Sequence, residues 1–78
     1  MQQNEQLLKM IEKSMKIQKA VFHQAVWNSN GDSETNFDAN DPKEHRRVEM
    51  WLSGNLLICL HKSKYFAVPL TNVVYVRF

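Results

Sequence analysis

"VEMWLSGNLLICLHKSKYFAV", Val48 to Val68, decides the fold. Gly54-Asn55 is a two-residue hairpin signal. With those two as the loop, Ser53 faces Leu56, Leu52 faces Leu57, Met50 faces Cys59 and Val48 faces His61. Successive strand side chains point to opposite faces. One face then carries Val48, Met50, Leu52, Leu57, Cys59 and His61, and the other Glu49, Trp51, Ser53, Leu56, Ile58 and Leu60. A second tight turn at Lys62-Ser63-Lys64 leads into Tyr65–Val68. Phe66 and Val68 join the first face, Tyr65 and Ala67 the second. Both faces of this meander are apolar. Val48, Met50, Leu52, Leu57, Cys59, Phe66 and Val68 are the expected core. The face of Trp51, Leu56, Ile58, Leu60 and Tyr65 needs a cover as well, from an N-terminal helix, a copy of the chain or a partner.

Upstream, residues 3–15 read as a helix within an N-terminal helical segment 1–16. Leu7, Leu8, Ile11 and Met15 share one face at 3.6 residues per turn, Met10 widens the stripe, and Asn4 is a weak cap. Glu5 to Lys9 and Glu12 to Lys16 are i,i+4 pairs in the favourable order. A helix of about 13 residues is marginal alone, so its apolar face must pack on something. Residues 17–27, IQKAVFHQAVW, have strand composition with apolar residues on both parities. Residues 28–45, NSNGDSETNFDANDPKEH, form a long acidic loop in which Phe37 is the one large apolar residue. Within it Asp32, Glu34, Asn36, Asp38 and Asn40 alternate as calcium-loop ligands do. The sixth position is Phe37 instead of Gly and the twelfth is Lys43 instead of Glu, so a solvated loop is expected.

Downstream, Pro69 cannot donate to a ladder, Leu70–Asn72 makes a short turn, and Val73–Phe78 is the last strand. This closing order resembles the end of SH3-like small barrels and the second Sm motif of Sm-like RNA-binding proteins. The resemblance covers about 30 residues. It implies an α+β fold: an N-terminal helix, then a five-stranded antiparallel SH3-like small β-barrel over 17–78, with a long flexible acidic loop after the first strand. The strands would be 17–27, 46–53, 55–61, 64–68 and 73–78. The first Sm motif has no counterpart in 46–61, and the aromatic dipeptides of SH3 ligand sites are missing from 28–45. No functional residue is therefore carried over from either family. In style the chain is similar to small accessory proteins encoded by bacteriophages, for which the host cytoplasm is the implied location.

The 78 residues suit one domain, which buries only about 60 to 65% of its unfolded surface. Cys59 stands alone, so no intrachain disulfide forms. It reads as a buried inert thiol, and a cytoplasmic location is expected. Lys9, Lys13, Lys16 and Lys19 interrupt any apolar leader, and no run approaches the roughly 20 apolar residues of a membrane span. A membrane partner is not expected.

His23, His45 and His61 are too scattered for a metal site, and His61 at a hairpin mouth reads as a solvated turn residue. Gly31 and Gly54 are the only glycines, so no phosphate-cradling loop exists. No Ser or Cys has a base partner identifiable from the sequence. The expectation is a chain that is not an enzyme and needs no cofactor.

Charge is uneven: residues 30–45 carry net −4 and residues 46–78 net +4. Two functions fit. The first is a protein-interaction module, a regulator or inhibitor of a host protein or an assembly protein, contacting its partner through Trp51, Tyr65, Phe37, Asp38 and Asp41. The second is a small barrel that binds RNA or single-stranded DNA through Arg46, Arg47, Lys62, Lys64, Tyr65 and Arg77. Turn lysines that simply keep a sheet edge soluble are the plainer account of that second set. Either permits a homo-oligomer through the edge of Val73–Phe78.

Overall fold

In the computed structural model, which describes residues 3–78, the meander folds as its turns dictate. Strand β4 (Glu49–Ser53) pairs with β5 (Leu56–His61) in the register Met50 to Cys59, Leu52 to Leu57 and Ser53 to Leu56. Gly54 opens the loop at φ +60°, the left-handed first position that a II′-type hairpin assigns to glycine. Strand β6 (Lys64–Pro69) pairs with β5, leaving Lys62-Ser63 as the second loop. Both loop residues have positive φ, 48° and 65°, as a type I′ turn requires.

The rest of the chain departs from the expected barrel. Helix α1 (Gln3–Glu12) ends three residues early. Lys13 and Ser14 turn it off with backbone bonds to the Met10 and Ile11 carbonyls, and the Ser14 hydroxyl also donates to Ile11 O at 2.6 Å. Such side-chain-to-backbone bonding lets serine compete with helix. Met15 therefore lies in a strand, β1 (Met15–Ile17), antiparallel to β4. The expected roles of Asn4 as a cap and Leu7 in the apolar stripe fall outside the described side chains.

After a bend at Gln18 comes β2 (Lys19–Trp27), which pairs on one side with β3 (Ser33–Asp38) and on the other with β7 (Val73–Arg77). Two sheets result, β1-β4-β5-β6 and β3-β2-β7. Among the described residues the fold is thus mostly β, with seven strands in two sheets and one short helix. This replaces the five-stranded SH3-like barrel, since no closed barrel is formed among the described residues. The expected acidic loop 28–45 is not one loop. It holds β3 and the 3₁₀ turn Glu44–Arg46.

Phe37 explains the extra strand. It pairs with Ala20 in the β2–β3 ladder and is fully buried. Its ring meets Phe22 edge-on at 5.3 Å and Phe66 at 6.0 Å, so it joins a residue of each sheet. Withdrawing one such side chain from water is worth about 1.5–3 kcal/mol, and that anchors an otherwise polar segment. The core around it is Ile17, Ala20, Phe22, Val48, Met50, Leu57, Cys59 and Val68, with Leu52 and Phe66 packed at its border. Every residue of the expected meander core is in that set. Burial also pushes the Cys59 thiol well above its ordinary range, which keeps it protonated and inert.

Pro69 ends β6, and a 3₁₀ turn, Leu70–Asn72, leads into β7. Asn72 grips the backbone of Gln24 twice, donating from Nδ2 to Gln24 O at 3.0 Å and accepting from Gln24 N at 2.9 Å. These bonds hold β2 to the turn beyond Phe22, the last residue paired in the β2–β7 ladder.

Candidate functional site

The outer face of the four-stranded sheet is built by alternation. Row by row it carries Glu49, Leu60 and Tyr65, then Lys16, Trp51, Ile58 and Ala67, then Ser53, Leu56 and Pro69. Helix α1 packs against β4 with Met10 and Ile11 half-buried, but Leu8 and Met15, expected in the same cover, are exposed, so the helix covers only that margin. Ile58 is fully buried, whereas Trp51, Leu56, Leu60 and Tyr65 stay partly open. The Lys16 ammonium lies 4.9 Å from the Trp51 ring centroid and 3.4 Å from Glu49 Oε2, so a cation and a carboxylate border the aromatic patch.

Of the other residues expected to meet a protein partner, Phe37 is fully buried and offers no surface. Asp38 lies on the opposite sheet, paired with Arg77 Nη2 at 3.3 Å. Asp41 turns inward. Its Oδ1 accepts from Lys43 N, its Oδ2 lies 3.5 Å from Arg46 Nε, and its carbonyl accepts from Arg47 Nη1. The structure keeps Trp51 and Tyr65 on one face and separates the other three from them.

The expected basic-aromatic set is similarly divided. Arg46 faces Asp41, Lys62 Nζ is 2.8 Å from Glu44 Oε1, and Arg77 is held by Asp38. Arg47 and Lys62 line a shallow groove of about 360 Å³ with Ala39, Glu49, Leu60 and Ser63. Lys64 and Tyr65 begin β6 beside it. Carboxylates brought over by residues 38–49 thus neutralise three of the five expected cations in place. The sequence shows −4 and +4 segments. The fold lays one against the other.

A third feature was not expected. His61 is 2% exposed, so it is not a solvated turn residue. Its Nε2 contacts the Glu44 carbonyl at 3.1 Å. A carbonyl only accepts, so Nε2 carries the proton and Nδ1 accepts the Ser29 hydroxyl at 2.6 Å. The Glu44 carboxylate stands 3.8 Å from Nε2. Burial is the main cause that lowers the His61 pKa, with Arg47 and His45 adding to it and Asp32 opposing, so the ring is held neutral.

A hydroxyl on a neutral, oriented imidazole is a nucleophile-and-base geometry. Its surroundings are a network of turn hydrogen bonds. Asn28, itself buried, takes the amides of Asn30 and Asp32 on Oδ1, and the Gly31 amide goes to Asn28 O. Those backbone donors beside Ser29 are therefore occupied by the turn itself, where an acyl-transfer site would aim them at substrate. Asn28 Nδ2 reaches on to His45 O at 2.8 Å, and His45 Nδ1 meets Glu34 Oε1 at 2.6 Å. The cluster is a latch that ties the β2–β3 turn, the 3₁₀ turn and the end of β5 together. One signal did point to His61: strand alternation puts it on the core face with Leu57 and Cys59. Ser29 and Glu44 carry no such signal.

Among the described residues, no helix is long and apolar enough to cross a membrane. No protein-family model, curated protein or solved structure matches this chain.

Proposed function

We propose that the chain is a non-enzymatic protein-interaction module of regulatory or assembly type, contacting its partner through the outer face of β4, β5 and β6. The observation that carries this reading is the contrast between two surfaces. Trp51, Leu56, Leu60 and Tyr65 form a partly open apolar patch on the three-stranded meander. Arg46, Lys62 and Arg77, which a nucleic-acid reading needs free for phosphate, each already face a carboxylate. Aromatic residues on such a patch are the usual anchors of protein interfaces.

The test compares the native chain with Trp51→Ala and Tyr65→Ala, both first checked for retained β-sheet circular dichroism. Cross-linked partners recovered from the native cell should be lost from both variants while the fold holds. Fluorescence polarisation with single-stranded oligonucleotides should show no binding at about 50 mM salt. Partner recovery undiminished in both folded variants contradicts the proposed surface. Oligonucleotide binding that collapses steeply with salt contradicts the proposed class and restores the nucleic-acid reading.

A further inference from the structure

Four strands lie at sheet edges: β1, β6, β3 and β7. An exposed edge is a template for another strand, and proteins guard edges with charge, proline or brevity. Strand β1 is three residues long and carries Lys16. Strand β6 is bracketed by exposed Lys64 and Pro69. Strand β3 reads Ser-Glu-Thr-Asn-Phe-Asp, polar at every position but the buried Phe37. Strand β7 differs. It reads Val-Val-Tyr-Val-Arg, and its single charge, Arg77, is already matched by Asp38 at 3.3 Å. Val74, Tyr75 and the adjacent Phe78 are 53%, 49% and 62% exposed.

We propose that β7 is a self-association edge, at which two copies of this chain pair antiparallel about a two-fold axis through Val76. Charge selects the occupant. Because Asp38 neutralises Arg77, the edge offers no unmatched charge to an acidic or basic strand. Among the edge strands described, the one that matches it apolar for apolar is β7 itself. The ladder selects the centre. Val21 pairs with Tyr75 and Phe22 with Val73, so Val74 is an extra, bulged residue and the regular part of β7 is Tyr75–Arg77. Centring on Val76 sets Val74 opposite Phe78 of the second copy and Tyr75 opposite its Arg77. Val74 then meets Phe78 of the second copy, and each guanidinium lies beside a tyrosine ring. The two three-stranded sheets become one of six. This inference goes beyond the proposed partner surface, which lies on the other sheet and stays open in the dimer.

The full chain, followed by sedimentation equilibrium from about 10 μM to 1 mM, should move from one chain mass toward two and stop there. Val74→Lys should hold it at one chain mass over that range, and so should Phe78→Lys, the second variant in case the first fails to fold. Val74→Lys with Phe78→Glu places opposite charges across the pair and should restore the dimer. A native chain that stays monomeric at the highest concentration overturns the proposal. So does a dimer indifferent to both lysines, or growth past two chains, which would mean that β7 meets a different edge. Failure of the charge-swapped variant to recover overturns the axis through Val76.

Discussion

The meander 49–69 and the segment 28–47 have similar lengths and opposite origins. The meander is held by ladder pairing and alternating apolar residues, with Met50 against Cys59 and Leu57 against Val68. The segment 28–47 is held by side chains bonding to backbone. Asn28 organises its first turn, Asp38 Oδ1 caps Asn40 N, Asp41 Oδ1 caps Lys43 N, and one ring, Phe37, fixes it to the core. The comparison teaches that a polar, turn-rich stretch becomes structure when a single large apolar residue sits in the right register.

Breaking that anchor is the largest effect expected. Phe37→Ala should cost about 3–5 kcal/mol, close to the whole stability of about 3–5 kcal/mol usual for so small a core. The variant should be largely unfolded by circular dichroism at 25 °C. A folded variant that loses only β3 would show the two regions to be independent. Asn28→Ala comes next. It removes three bonds from a buried amide and leaves the Asn30 and Asp32 amides without their partner, for about 1–3 kcal/mol. Urea unfolding measures it, and a change under about 0.5 kcal/mol would mean that water replaces the side chain well.

The latch sharpens the comparison through pH. The His61 pKa lies below its ordinary 6.5 in the fold, so the unfolded chain binds the proton more readily. The contribution of neutral His61 is complete above about 6.5 and is lost as pH falls through the lower folded value. Native stability should therefore drop on acidification below 6.5, and His61→Gln should flatten that part of the profile. An unchanged slope in the variant would assign the drop to other groups. The smallest effect belongs to the meander turns. Ser63→Gly removes a side chain from φ 65° and should stabilise by about 0.5–1 kcal/mol. A destabilised variant would show that Ser63 makes contacts which outweigh its backbone strain.

Legibility followed the same divide. Gly54-Asn55 and strict alternation wrote the β4–β5 register and the meander core into local sequence. Residues 28–45 gave the opposite impression. The alternation of Glu34, Asn36 and Asp38 reads as part of a solvated loop and is the period-two signature of β3, with Phe37 the inward residue. The helix boundary was missed because Met15 fits a helical stripe as well as it fits β1. Trp51 and Tyr65 could be placed on one face from alternation alone. The ion pairs that engage Lys62 and Arg77 could not, because they join residues brought together by tertiary folding, 39 positions apart for Arg77 and Asp38, and the local pair of Arg46 with Asp41 depends on the 3₁₀ turn between them.

The central claim is that residues 33–38 belong to the folded sheet and that Ala39 is bonded to it. Native-state amide hydrogen exchange tests it most directly, residue by residue. The Ala39 amide, bonded to Gln18 O at 2.8 Å, and the ladder amides of β3 should be protected to nearly the same degree as those of β5. Exchange of 33–39 at the rate of an unstructured peptide, beside a protected meander, would contradict the account and return that segment to a solvated loop.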